Sequence, residues 1–279
     1  MSIDSKEATR LANVCLPKIL AENGEDEGEG VIISEQNVSI KNICRLWAGM
    51  GFIYQVTVTL PSSSQKNKMY KFIIKHVIPP PKRSRSFGDE RKASSYLIEA
   101  NFYESIAPIL IDQYDLSIPT PYHVERNEGT DEVTICMSLL VGSPSHYLSD
   151  DDSVHPVLCW LATLHAATWG EKVDAYVTQN IVQPIGSYWH LDTRPSEHTS
   201  MSKKGWEGRL KMAARAIDER LKRDAMQCCI HGDAKDANML FFRNNDTKKQ
   251  VGGNSIGVSM YDFQYCGKAP PSVREKIIS

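Results

Sequence analysis

Residues 229–241 read CIHGDAKDANMLF. Apolar residues stand at both ends, yet the eight positions from His231 to Asn238 hold a histidine, two aspartates, a lysine and an asparagine. A strand that only fills a core does not carry such a run, because each buried polar group needs a partner. The stretch reads as a strand (MQCCI), a structured polar loop, and a second strand (MLFF). A fold that contains it must build a scaffold around the loop that satisfies or uses its polar groups.

The spacing within the loop narrows its chemistry. Asp233 and Asn238 are five residues apart, and His231 stands two before the aspartate. In a kinase catalytic loop an aspartate accepts a hydroxyl proton, and an asparagine five positions on holds magnesium. His231 reads as a brace for the loop. A second motif, Met260-Tyr261-Asp262-Phe263-Gln264, closes the next short strand, 24 residues after Asn238 (262 − 238). There a kinase fold presents its second metal carboxylate, followed by a packing phenylalanine. Asp233, Asn238 and Asp262 are hard oxygen donors of the kind magnesium prefers.

Two further residues pose a charge problem with one common answer. In MYKFIIKHV, period two puts Lys71, Ile73, Lys75 and Val77 on one face. A lysine among branched apolar residues needs a partner or a ligand, unless the strand lies at an edge and its lysines snorkel. A helix is expected from about Asp89 to Ile106, with Tyr96, Glu99, Phe102, Tyr103 and Ile106 on one side. Glu99 is the one carboxylate in that stripe. Pairing Lys75 with Glu99 resolves both, and sets an ammonium where phosphate oxygens could meet it. Gly49 and Gly51 sit in a turn between two strands and could let backbone approach a phosphate, although a plain hairpin turn explains them equally well.

Composition sets the remaining bounds. With 279 residues, 32 basic against 34 acidic, a net charge of −2 and 41% hydrophobic content, the chain reads as globular, with no nucleic-acid or membrane partner expected. No run approaches 18 apolar residues and no secretory leader is evident. Seven cysteines without a C-x-x-C spacing read as reduced thiols, and a cytoplasmic location is expected. Cys228 and Cys229 read as small buried hydrophobes.

Strands are expected in VIISEQNVSIK, FIYQVTVTL, MYKFIIKHV and DEVTICMSLLVG, all in the first half. The acidic, glycine-rich residues 22–30 read as a solvated loop, and PSSSQKNK as the turn joining the second and third strands. PPPKRSRSFGDERK reads as an exposed linker rather than a phosphorylation segment, although Ser84 and Ser86 alternate with basic residues. From Ser153 a helix is expected, with Pro156 in its first turn and Val154, Val157, Leu158, Leu161, Leu164 and His165 as its stripe. Trp206, Leu210, Ala213, Ala214, Ile217 and Leu221 mark another helix. NMLFF and GVSMY could pair as a hairpin around RNNDTKKQVGGNSI. The expectation is α+β with a β-rich half at residues 1–139 and a helical half at 140–279.

On HGDAKDANMLF, YDFQYCGKAPP, the Glu99-x-x-Phe102-Tyr103 spacing and Leu161-Ala162-Thr163-Leu164-His165-Ala166, the chain resembles the aminoglycoside phosphotransferase and choline kinase group, nearest its ecdysteroid-kinase-like (CHK-like) branch. The resemblance spans roughly residues 30 to 271. It implies a protein-kinase-like two-lobe fold and ATP- and magnesium-dependent phosphorylation of a small-molecule hydroxyl. It also implies that Asp233 is the base, that Asn238 and Asp262 hold magnesium, and that Lys75, oriented by Glu99, holds the nucleotide phosphates. His165 matches a position that supports the catalytic loop. MSLLVG lacks the acidic residue often found in the adenine-binding linker. The family continues well beyond the 17 residues that follow Asp262 here (279 − 262), and SVREKIIS does not resemble that continuation, so the helical lobe reads as truncated.

Two other readings follow from the same residues. One is a catalytically impaired, nucleotide-binding isoform or pseudokinase. The other is a metal-dependent hydrolase with His231, Asp233 and Asp262 as ligands, which leaves Lys75 and Glu99 unexplained. The kinase reading expects an ammonium and three oxygen-bearing side chains to gather around one triphosphate. Neither the acceptor nor the oligomeric state is legible.

Overall fold

The computed structural model describes residues 2–25, 31–61, 67–144, 150–243 and 256–271. Most of the acidic break (26–30), most of the turn joining the second and third strands (62–66), the loop of the C-terminal hairpin (244–255) and the tail (272–279) lie outside the described residues. The chain divides into two compact units, residues 1–108 with 119–140, and residues 109–118 with 141–279.

The first unit is built on a five-stranded antiparallel sheet. Its strands are β1 (Val38–Arg45), β2 (Gly51–Leu60), β3 (Lys68–Val77), β4 (Pro121–Asn127) and β5 (Glu132–Ser138), in the order β1-β2-β3-β5-β4. Helix α1 (Ser5–Glu22) packs Leu11, Cys15, Leu16 and Ile19 against Val56, Val58, Phe72 and Tyr122 of the sheet. Each fully buried aliphatic side chain there contributes about 1.5–3 kcal/mol. Strand β1 begins later than expected. Ser34 and Asn37 close a short 3-10 turn over Glu35–Asn37, Ser34 Oγ donating to Asn37 Oδ1 at 2.7 Å, so pairing starts only at Val38.

Helix α2 (Phe87–Ser105) starts two residues before the expected position because Ser86 caps it. Ser86 Oγ accepts the Asp89 N–H at 3.1 Å, and Asp89 Oδ2 accepts the Ser86 N–H at 2.9 Å, a reciprocal capping box. The linker before the helix is held by Arg85, whose buried guanidinium donates to Asp131 Oδ2 at 2.6 Å and to the Thr130 carbonyl at 2.9 Å.

The second unit is mainly helical: α3 (Ala107–Tyr114, shared across the boundary), α4 (Asp150–Ala167), α5 (Glu171–Thr178), α6 (Pro195–Ser200) and α7 (Gly205–Lys222). Two small antiparallel pairs complete it, β6 (Cys228–Ile230) with β9 (Gly267–Ala269), and β7 (Met239–Arg243) with β8 (Ile256–Met260). Residues 109–118 join this unit through Ser117, whose carbonyl accepts from Trp160 Nε1 at 2.9 Å and from the Met260 N–H at 3.3 Å. Helix α4 begins at Asp150, so Pro156 falls inside it rather than in its first turn. Its buried side runs through Val157, Trp160, Leu161 and Leu164, while Val154 and Leu158 are exposed. The α+β class is as expected, strands concentrated in one unit and helices in the other. Among the described residues no helix is long and apolar enough to cross a membrane. All seven cysteines are free, and Cys228 and Cys229 are buried.

Candidate active site

In the first unit, Lys75 lies on β3 between Ile53 of β2 and Ile135 of β5, and is 5% exposed. It is a central strand, so the lysine does not snorkel from an edge. Its ammonium stands 2.8 Å from Oε1 and 2.6 Å from Oε2 of Glu99, which is 1% exposed on α2. The Tyr96 ring lies one helical turn before Glu99, its centroid 5.3 Å from the same nitrogen. The expected ion pair is therefore formed, and it is buried. Desolvating two such charges costs several kcal/mol each before their attraction offsets it.

Gly49 and Gly51 sit in the β1–β2 turn. Gly49 has a φ of 73° and donates its N–H to the Leu46 carbonyl at 3.0 Å, and the Gly51 carbonyl accepts from Leu46 at 2.9 Å. At Gly51, with a φ of 130°, a Cβ would overlap the His76 carbonyl oxygen. Close pairing with β3 thus requires Gly51, whatever else the turn contacts.

In the second unit, β6 delivers the polar loop. Gly232 has a φ of 80°, and a Cβ there would overlap the Tyr265 carbonyl oxygen, so the loop and the chain after β8 run in contact. His231 is fully buried, and both its ring nitrogens are engaged. Nδ1 accepts the Asp233 N–H at 3.3 Å, and Nε2 lies 3.1 Å from the Tyr261 carbonyl, which fixes the Nε2–H tautomer. Its ring packs on Phe263 at 4.8 Å and on Trp160 at 6.2 Å. The histidine braces the loop, and a metal would find neither nitrogen available. That removes it from the ligand set of the hydrolase reading. Among the described residues no three or more His, Cys, Asp or Glu side chains form a metal-holding group.

Asp233 is held through one oxygen. Its Oδ2 accepts from Lys235 Nζ at 2.7 Å and from Asn238 Nδ2 at 3.1 Å, while Oδ1 has no hydrogen-bond partner among the described residues. Asn238 is buried at the end of the 3-10 turn Asp236–Asn238, and its amide nitrogen also donates to the Asp233 carbonyl at 2.9 Å. With that nitrogen committed to Asp233, the amide oxygen turns the other way. The β7–β8 register sets Met239 opposite Met260, and the Tyr261 N–H donates to the Asn238 carbonyl at 3.2 Å. Asp262 follows at once, in the left-handed region with a φ of 70°, its Oδ1 accepting from Gln264 Nε2. Asp233, Asn238 and Asp262 are thus brought to one end of one hairpin. The two oxygen donors of Asn238 and Asp262 suit magnesium, which takes few protein ligands and keeps several waters.

His165 is buried in the last turn of α4, the helix that packs on β6 and β8. Three residues on, Thr168 Oγ1 accepts the Cys229 N–H at 3.0 Å, a hydrogen bond to the strand before the loop. Sequence reasoning did not single out Thr168, Trp160, Lys235 or Gln264. Lys235 and Gln264 each stand two residues from the aspartate they contact, a signal visible only once a loop is assumed.

No protein-family model matches the chain, and no curated protein does. Several solved structures are similar to it. The GDP complex of wild-type aminoglycoside 2'-phosphotransferase-IIIa is 12% identical, over 93% of this chain and 75% of that one, with a TM-score of 0.47. Aminoglycoside-3'-phosphotransferase of type VIII is 13% identical, over 84% and 74%, with a TM-score of 0.44. Aminoglycoside phosphotransferase APH(3'')-Id from Streptomyces rimosus, in complex with ADP and streptomycin, is 15% identical, over 76% and 73%, with a TM-score of 0.40.

Proposed function

We propose that the chain is a kinase-like phosphotransferase that moves the γ-phosphoryl group of ATP to a hydroxyl of a small molecule. The observation that carries this reading is the state of Asp233, a carboxylate clamped through Oδ2 and open at Oδ1, beside the Asn238 amide, whose backbone carbonyl accepts from the residue before Asp262. Asp233 Oδ1 takes the acceptor's proton as its oxygen bonds to the γ-phosphorus and the bond to the ADP oxygen breaks. Asn238 and Asp262 would hold magnesium, which supplies neutralising charge on phosphate oxygens. Lys75, fixed by Glu99, binds nucleotide phosphates, and the Lys235 ammonium adds a positive charge beside the base. Gly49 and Gly51, having no side chains, let the β1–β2 turn come close to a phosphate. His231 and His165 position the loop.

Positioning a hydroxyl in line with the phosphoryl group removes roughly 7–11 kcal/mol of barrier, which is why a rigid loop matters more here than a strong base. The test is transfer of labelled γ-phosphate from ATP to a panel of alcohols, amino alcohols and sugars, with Asp233→Ala as control. Transfer that Asp233→Ala abolishes supports the reading. Nucleotide binding without transfer to any acceptor would mark the chain as the impaired nucleotide-binding form.

A further inference from the structure

Helix α7 stands apart from the rest of the second unit. It runs for 18 residues, yet Gly208 and Asp218 are its only buried residues. The apolar stripe that marks it in the sequence faces outward, with Trp206 67%, Leu210 47% and Ile217 48% exposed. An amphipathic helix with its apolar stripe in water marks an interaction surface.

That stripe reads the same in both directions. Trp206 and Leu221, Leu210 and Ile217, and Ala213 and Ala214 are each symmetric about the midpoint between residues 213 and 214. Large side chains stand at the ends and alanines at the centre, so two such helices laid antiparallel approach closely in the middle and interlock outside it. Charge obeys the same symmetry. Glu207 and Arg220 are related by the same midpoint, so an antiparallel copy sets acid against base twice. Arg220 makes no ion pair among the described residues. Among the described residues Glu207 Oε1 is engaged only by the Ser202 N–H, at 3.0 Å. Beside the stripe lies an open cleft of about 500 Å³, with Ile217 and Leu221 on its α7 wall and Trp189, Arg194 and Met201 across it. The same two-fold brings the partner's Trp206 opposite Leu221, on that wall.

We infer that this face docks a second copy of the chain, α7 against α7 antiparallel about a two-fold axis, with each Trp206 entering the cleft of the other subunit. Such a contact is isologous, and closes at two subunits. It stands independently of the phosphotransfer reading.

Sedimentation equilibrium of the full chain, from about 0.1 to 100 μM to span the affinities that interfaces of ordinary size display, tests it. The wild type is expected to reach the mass of a dimer, and Trp206→Glu to sediment as a monomer with unchanged circular dichroism. Glu207→Arg and Arg220→Glu should each weaken the dimer by about tenfold, with the double exchange restoring it. Should Glu207→Arg unsettle the turn its carboxylate caps, Ala213→Cys gives a second reading. With the exposed Cys44 and Cys159 replaced by serine, mild oxidation should cross-link it into a dimer. A wild type that stays monomeric throughout, as it would if a small molecule or another polypeptide segment were the true occupant, overturns the proposal. So does a Trp206→Glu variant that keeps its dimer, or a double exchange no tighter than either single one.

Discussion

The two units solve the problem of placing charge in opposite ways. In the first, Lys75 and Glu99 are sealed between sheet and helix, and each is held by the other. In the second, Asp233 is half-buried, tied to its own loop by Lys235 and Asn238, and open at one oxygen. A sealed pair cannot be altered at one end without leaving a naked charge in the interior. A loop aspartate facing water can be replaced with little effect on the fold. Stability and function should therefore separate differently in the two regions, and substitutions can test whether they do.

The largest effect is expected in the loop. Asp233→Ala should lower phosphoryl transfer by roughly 10²–10⁴-fold, the usual contribution of a positioned general base. Its melting temperature and nucleotide affinity should stay close to wild type. If calorimetry showed a large loss of stability, the contrast between the units would fail. The next effect is in the sealed pair. Lys75→Met alone, or Glu99→Leu alone, should cost about 3–5 kcal/mol, because each leaves its partner charged and buried. Lys75→Met with Glu99→Leu should recover most of that stability in denaturant titrations, yet still fail to bind nucleotide. A double variant that binds ATP as tightly as wild type would reduce the pair to a structural role.

The same contrast governs what could be read in advance. Lys75 and Glu99 were legible because a charge on an apolar face is a contradiction that needs a partner, and periodicity names both faces. The polar loop was legible through spacing, since Asp233, Asn238 and Asp262 keep fixed intervals beside short strands. The contacts that hold Asp233 and Asp262 were not. Lys235 and Gln264 lie in irregular backbone, where no period predicts direction. Strand β4 escaped because it is an edge strand that opens on Pro121 and carries only Tyr122 and Val124 as apolar residues among His123, Glu125, Arg126 and Asn127. Helix α1 carries a clear stripe at Ala8, Leu11, Ala12, Cys15, Leu16 and Ile19, and Pro17 within it masks the pattern. The stripe of α7 named a helix correctly but gave no sign that it would face outward.

A smaller effect belongs to the end of the hairpin. Asp262→Asn keeps the left-handed backbone, which asparagine tolerates, and removes one negative oxygen. Nucleotide affinity in the presence of magnesium should fall by about tenfold or more, while affinity in excess chelator stays as in wild type. Isothermal titration under both conditions checks this. Equal losses with and without magnesium would mean that Asp262 supports the loop rather than the ion.

The smallest effect returns to the first unit, where Arg85 and Asp131 hold the segment that caps α2, the helix bearing Glu99. Burial pushes the Asp131 carboxyl up, but hydrogen bonds from Arg85 and Lys82 more than reverse this and hold it below the usual carboxylate range. A carboxyl lowered in the folded state contributes stability above its unfolded pKa, and that contribution is lost as pH falls through the folded value. Asp131 also occupies the left-handed region, with a φ of 58°, so Asp131→Asn changes charge with little change in backbone. The substitution should cost about 1.5–3 kcal/mol at neutral pH, the range for a hydrogen bond to a charged group. As pH falls below the usual carboxylate range the wild type should lose stability faster than the variant, and the two should converge at the acid end. Parallel denaturation curves across that range would show that the clasp draws nothing from the Asp131 charge, and that Arg85 is held by Glu90 and the Thr130 and Pro80 carbonyls.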